Sequence, residues 1–300
     1  MDWSRDGRAW PNRAMSRFVD VRPHRWHIQE AGAGPTILLL HGAGGATHSW
    51  RHLLPLLARH HHVVAPDLPG QGFTRLGTRQ RGTVALLGQD VTALCASEGW
   101  HPDLIVGHSA GGALALEVAV RLQARGVVGI NPAVGTFDGV AGWLFPMMAK
   151  LLALNPLVPL LFSRMAASEK RIGELLASTG STIDPEGVAL YHRLASDRAH
   201  VEGTLSMMAQ WDIEMLAERL PMLDLPCLFL VGEKDGTVPP RVAREAASRM
   251  PRAEVRGWDD RGHLLHEEVP EEVAETIAGY LATLHDDAPS AAPRRRHSGP

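Results

Sequence analysis

An α/β architecture, a doubly wound and mostly parallel sheet with an inserted helical cap, is what three features of this 300-residue sequence predict. Short apolar runs alternate with helix-like stretches, most runs end in glycine-rich turns, and the alternation stops between Thr136 and Leu220. Continuous apolar strands separated by helices belong to parallel sheets covered on both faces, and such sheets bind ligands at the carboxyl ends of their strands.

In chain order the strand-like segments are RWHIQEAG from Arg25, TILLLHGAGG from Thr36, HHVVAPDLPGQG from His61 and DLIVGHSAGG from Asp103. VVGINPAV from Val127, CLFLVGEKD from Cys227 and AEVRGWDDRGH from Ala253 complete the set. Helical patterns such as ALALEVAVRLQA and RVAREAASRM lie between them. GVAGWLFPMMAKLLALNPLVPLLF and SMMAQWDIEML read as helices with no strand between, so the expected organisation is a core of 1–135 and 221–285, a cap of 136–220 and a disordered tail of 286–300. The apolar run from Val140 to Phe162 is interrupted by Lys150, Asn155 and prolines 146, 156 and 159, which favours short buried or interfacial helices over a membrane span.

A net charge of −3 and a pI near 6.6 give no general attraction to nucleic acid. Cys95 and Cys227 are far apart and form no CxxC pair, which argues against a disulfide framework or a thiolate metal site and for a reduced, cytoplasmic protein. The first residues lack the apolar stretch of a secretion signal. Shallow contact with a membrane surface, through the 140–162 run or the Arg294–Arg296 cluster, is the weaker expectation.

Gly107-His108-Ser109-Ala110-Gly111 matches G-x-S-x-G between a predicted strand and a predicted helix. Glycine on both sides allows a turn tight enough to lift the Ser109 hydroxyl above the sheet edge, at the N-terminus of the following helix. A serine hydroxyl needs a general base, itself oriented by an acid. Asp235 and His263 each follow a strand, in the order Ser, Asp, His, with Asp259 and Asp260 as rivals for the acid. His41-Gly42-Ala43-Gly44-Gly45 follows TILLL, and the amides of Ala43 and Ala110 are the expected oxyanion donors, with Gly44 as an alternative to Ala43.

The sixteen histidines show no metal-ligand spacing. His60, His61 and His62 alternate faces if they lie on a strand, and His263 and His266 lack a third ligand. Neither a P-loop nor a full dinucleotide fingerprint is present, so neither metal nor cofactor is expected.

HGAGG, DLPGQG, GHSAGG, GEKDGTVPP and GHLLHEEVPEEV, in that order, resemble the α/β-hydrolase-fold family over about Arg17 to Leu284. MDWSRDGRAWPNR, THSWRHLLPLLA, APDLPGQGFTR, ALNPLVP and MMAQWD more narrowly resemble the magnesium-chelatase accessory proteins of bacteriochlorophyll biosynthesis. The resemblance implies a role around protoporphyrin IX and its magnesium complex, with the chelatase subunits as possible partners. It does not supply a reaction, because one fold hosts many chemistries.

Two classes of function follow. The first is a serine hydrolase acting on an ester or acyl bond of an apolar substrate through Ser109, His263 and Asp235. The second is a non-catalytic porphyrin-binding or chelatase-assisting protein, whose pocket Trp143, Phe145, Met148, Met208 and Trp211 would line, with His41 and His108 at its wall. The apolar members of that set could equally be packing between cap and core.

Overall fold

The computed structural model of the chain describes residues 1–77, 81–135 and 168–286. The strands are β1 (Ser16–Val21), β2 (His24–Ala31), β3 (Thr36–Leu40), β4 (His62–Pro66), β5 (Leu104–His108), β6 (Gly126–Ile130), β7 (Cys227–Gly232) and β8 (Ala253–Trp258). They form one eight-stranded sheet in the order β1-β2-β4-β3-β5-β6-β7-β8. β2 runs antiparallel to both β1 and β4, and every pair from β4 to β8 is parallel.

The α-helices, in chain order, are α1 (Trp3–Asp6), α2 (Leu53–Leu57), α3 (Val84–Glu98), α4 (Ala110–Leu122), α5 (Glu169–Ser178), α6 (Pro185–Ser196), α7 (Arg198–Gln210), α8 (Glu214–Arg219), α9 (Pro240–Arg249), α10 (Leu265–Glu268) and α11 (Pro270–Asp286). No helix among the described residues is long and apolar enough to cross a membrane.

Strand periodicity of two divides the core between the faces of the sheet. Leu38 and Leu40 point into one cluster with residues of α3, α4 and α9. Ile37 and Leu39 point into the other with residues of α2 and α11. All four are fully buried, and each contributes about 2 kcal/mol relative to exposure. Cys95 and Cys227 are free, buried thiols, and burial pushes both up to about 12.

Two elements differ from the expectation. β1 adds a strand before Arg25; its half-buried alternation on the sheet edge carries little apolar signal. The SMMAQWDIEML segment is not one helix: Trp211 turns extended at the end of α7, and the Asp212 carboxylate accepts from the Glu214 amide to start α8.

Helices α5 to α8 occupy the chain between β6 and β7 and meet turns that follow the strands: Gly203 of α7 lies against Gly70 after β4, and Gly180 against Lys234 after β7. Capping carboxylates start two of them: Asp184 accepts from Gly187 N at 2.6 Å and Asp197 from His200 N at 2.9 Å. Helix α6 docks on a buried ion pair of the core, between Arg51 and Glu267. Tyr191 of α6 donates its hydroxyl to Glu267 at 2.6 Å, and Arg51 reaches Asp184 at 3.0 Å.

Loss of one member of a buried pair leaves the other charge uncompensated. Arg51→Met is therefore expected to cost about 3–5 kcal/mol, read as a lower midpoint in chemical denaturation.

Candidate active site

Ser109 stands at the junction of β5 and α4 with φ 53° and ψ −119°, a left-handed conformation that a serine adopts only when its surroundings impose it. Backbone bonds supply that constraint: Ser109 N donates to Ile130 O at 3.0 Å, and Ser109 O accepts from Ala133 N at 3.0 Å and Gly112 N at 2.9 Å. A Cβ on Gly107 would overlap the Gly111 carbonyl, and one on Gly111 would overlap the Leu40 carbonyl. Ala110 opens the helix, so its amide has no acceptor within α4.

Asp235 lies in the turn after β7 and His263 in the turn after β8. His263 Nδ1–H donates to Asp235 Oδ2 at 2.7 Å, and both residues are buried. Asp235 Oδ1 is held by the amides of Thr237 and Val238 at 2.7 and 2.9 Å, so the carboxylate cannot turn away. With Nδ1 carrying a proton toward the acid, Nε2 is left as the basic nitrogen. Asp260 is instead an exposed partner of Lys234 at 2.7 Å.

The loop after β3 abuts the serine: a Cβ on Gly42 would come within 3.1 Å of Ser109 Cβ. Gly44 N is already committed to Gln71 Oε1 at 2.7 Å, which removes it from the candidate oxyanion donors and leaves the exposed Ala43. His200 of α7 braces the same loop, donating from Nε2 to Gly44 O at 3.1 Å and accepting Gly72 N at 3.0 Å on Nδ1.

The other residues expected at the pocket take these places. His41 is fully buried, donating from Nδ1 to Gly42 O and accepting Leu68 N on Nε2, each at 2.8 Å, and so holds two loops together. His108 is buried beneath the base, donating from Nε2 to His263 O at 2.9 Å, with its ring against His263 and His266. Trp211 packs on the core cluster. Met208 is half-buried on α7, and its buried neighbour Met207 accepts from Gln71 Nε2 at 3.2 Å. Trp143, Phe145 and Met148 lie outside the described residues.

Sequence reading missed Asn131, which follows β6. Its Nδ2 donates to Gly262 O at 3.0 Å and His263 O at 2.8 Å, while its Oδ1 accepts Gly232 N at 2.9 Å. One side chain thereby joins the ends of β6, β7 and β8. A polar residue closing an apolar strand, as in VVGIN, was the available signal. His200 and Asp67 were missed as well. Asp67 is fully buried and accepts from His27 Nδ1, Thr47 N and Phe73 N at 2.6–2.8 Å; burial alone would raise its pKa, but His27 holds it down at about 2.

Burial depresses five histidines around the site. It lowers His41 and takes His48 well below the ordinary range, helped by Arg51. It takes His108 in the same direction, helped by His266, and brings His200 to about 4 and His266 to about 3.

The sequence profile of the alpha/beta hydrolase family matches residues 37–276. The chain is 41% identical to the Magnesium-chelatase 30 kDa subunit of Rhodobacter capsulatus, over 91% of this chain and 96% of that protein. In structure it is similar to the epoxide hydrolase CorEH, with a TM-score of 0.76 and 23% identity over 90% of this chain and 99% of the other. It is also similar to the esterase EaEST of Exiguobacterium antarcticum, with a TM-score of 0.74 and 16% identity over 89% and 100% of the two chains. At such identities these two likenesses show the fold alone.

The histidines give stability a predictable pH dependence. Their folded pKa values lie below the unfolded value near 6.5, so as pH falls the unfolded chain takes up protons first. For His200 and His266 the stability they confer is complete above about pH 6.5 and is lost as pH falls toward 4 and 3, at about 2 kcal/mol for each of the two by pH 5. Denaturant midpoints are expected to drop steadily from pH 7 to 5, and His266→Leu should reduce proton uptake on unfolding by about one.

Proposed function

The chain belongs to the alpha/beta hydrolase family, and on that premise we propose that it is a serine hydrolase cleaving an ester or related acyl bond of an apolar substrate at the magnesium-chelatase step of bacteriochlorophyll synthesis. The observation that carries the reading is the 2.7 Å His263–Asp235 hydrogen bond at the strand ends that also hold the strained Ser109 turn.

In this reading Ser109 Oγ attacks the acyl carbon as His263 Nε2 takes its proton. Asp235 keeps the imidazole in the Nδ1–H tautomer and stabilises the imidazolium. The oxyanion forms between the amides of Ala43 and Ala110, and the loop carrying Ala43 is held from three sides by His41, Gln71 and His200. His263 then returns its proton to the leaving group, and water resolves the acyl-enzyme by the same path. The inserted helices act as the cap over this site.

The pathway step is supported by the 41% identity to a protein named as a magnesium-chelatase subunit. That name also supports a second reading, in which the chain binds a porphyrin or the chelatase subunits and catalysis is dispensable.

An active-site fluorophosphonate is expected to label the wild-type chain, and Ser109→Ala to abolish labelling. An unlabelled wild-type protein under native conditions would count against the hydrolase. In a strain lacking the gene, Ser109→Ala expressed at wild-type level should leave a pigment precursor to accumulate; full rescue would instead favour the binding reading. For that reading, protoporphyrin IX should quench tryptophan fluorescence saturably.

A further inference from the structure

We infer that the turn Thr179–Gly180–Ser181, between α5 and α6, positions the His263–Asp235 pair, so that the inserted helices set the geometry of the base as well as covering it. The inference rests on the serine-hydrolase reading of the site.

The Thr179 carbonyl accepts two hydrogen bonds, from Gly236 N at 3.1 Å and from His263 N at 3.2 Å. One oxygen of the insertion thus joins the turn that carries the acid to the turn that carries the base. Ser181 is buried and accepts Leu264 N on its hydroxyl at 2.8 Å, fixing the residue after His263. Glu268 secures the arrangement from below, its two oxygens accepting Thr182 N at 3.1 Å and Gly262 N at 2.9 Å.

The three turns meet with no room for side chains at the crossing points. Gly180 has φ +83°, and a Cβ there would overlap the Lys234 carbonyl. A Cβ on Gly262 would overlap the backbone of Gly180 and Ser181, and one on Gly236 would stand 2.7 Å from Ser178 O. A segment whose role is only to cover a pocket has no need to thread between the acid and base turns. The consequence lies in orientation: with the amides of His263 and Leu264 both tied to the insertion, a shift of that turn swings the imidazole relative to Ser109 and Asp235. Ser181 and Glu268 are positioning residues, because each acts through His263.

The test uses the full-length chain with Ser181→Ala and Glu268→Ala, each read in two ways. One is the rate of fluorophosphonate labelling of Ser109 as a function of pH. The other is the low-field proton resonance of the His263 Nδ1–H···Asp235 hydrogen bond. Labelling is expected to slow about 10-fold in each variant, as small misplacements of a reacting group do. The pH limb that reports His263 should shift, the low-field resonance should move or broaden, and the thermal midpoint should fall by only about 5 °C, leaving the chain folded at the assay temperature. Ser181→Thr, which keeps the hydroxyl, should restore both readouts.

Wild-type labelling rate, pH profile and resonance in both variants would overturn the inference. If either variant fails to fold, the other tests the same turn from its opposite side. A wild-type chain that shows the resonance but does not label would sink the hydrolase reading alone, since the resonance reports the clamp without turnover.

Discussion

Backbone has to meet backbone above the strand ends, and the site holds together only where no Cβ intervenes. Gly107 and Gly111 let α4 start against β3 and β5, which raises Ser109 and forces its left-handed backbone. Gly232 lets the end of β7 touch the turn after β8, bringing Asp235 to His263, and Gly262 admits the Gly180–Ser181 turn against it. Where backbones cross this closely, their amides and carbonyls must find partners within the crossing, because water cannot reach them. Asn131 meets part of that demand by serving three strand ends with one amide group.

Neutral histidine meets much of the rest. A neutral imidazole offers one donor and one acceptor, and His41 and His200 use both to tie a glycine loop to its neighbour. Burial keeps them unprotonated, and their bonding requires it, since an imidazolium could not accept the Leu68 or Gly72 amide. At these two positions histidine is a structural residue. His48 and His266 are the costly members: both ring nitrogens of each lack a hydrogen-bond partner among the described residues.

The parallel sheet, the Ser109 turn and the glycine loop after β3 were legible because each is local: an apolar run, a strand-to-helix turn, a cluster of glycines. Asp235 and His263 were legible as candidates because each follows a strand whose end converges with the others. What escaped depends on long-range contact. Nothing near His200 in sequence announces that it will bridge Gly44 and Gly72, and nothing in THSW announces that Arg51 will pair with Glu267, 216 positions away. Gly44 could not be separated from Ala43 as a donor until Gln71 was seen to occupy its amide. β1 was invisible because an edge strand alternates only weakly.

Helices α5 to α8 follow one another without a strand between β6 and β7, so by chain order they form an insert in a scaffold. Here the boundary between insert and scaffold is crossed by Arg51, Glu267, Glu268 and Asn131's neighbours in the turn after β8, all of which belong to the scaffold yet are shaped to one particular insert. A graft cut at the chain boundaries would leave the Glu267 carboxylate without the Tyr191 hydroxyl and the His263 amide without the Thr179 carbonyl. The unit that could be inherited or exchanged intact is therefore defined by partners in space, and insert and scaffold are constrained to change together.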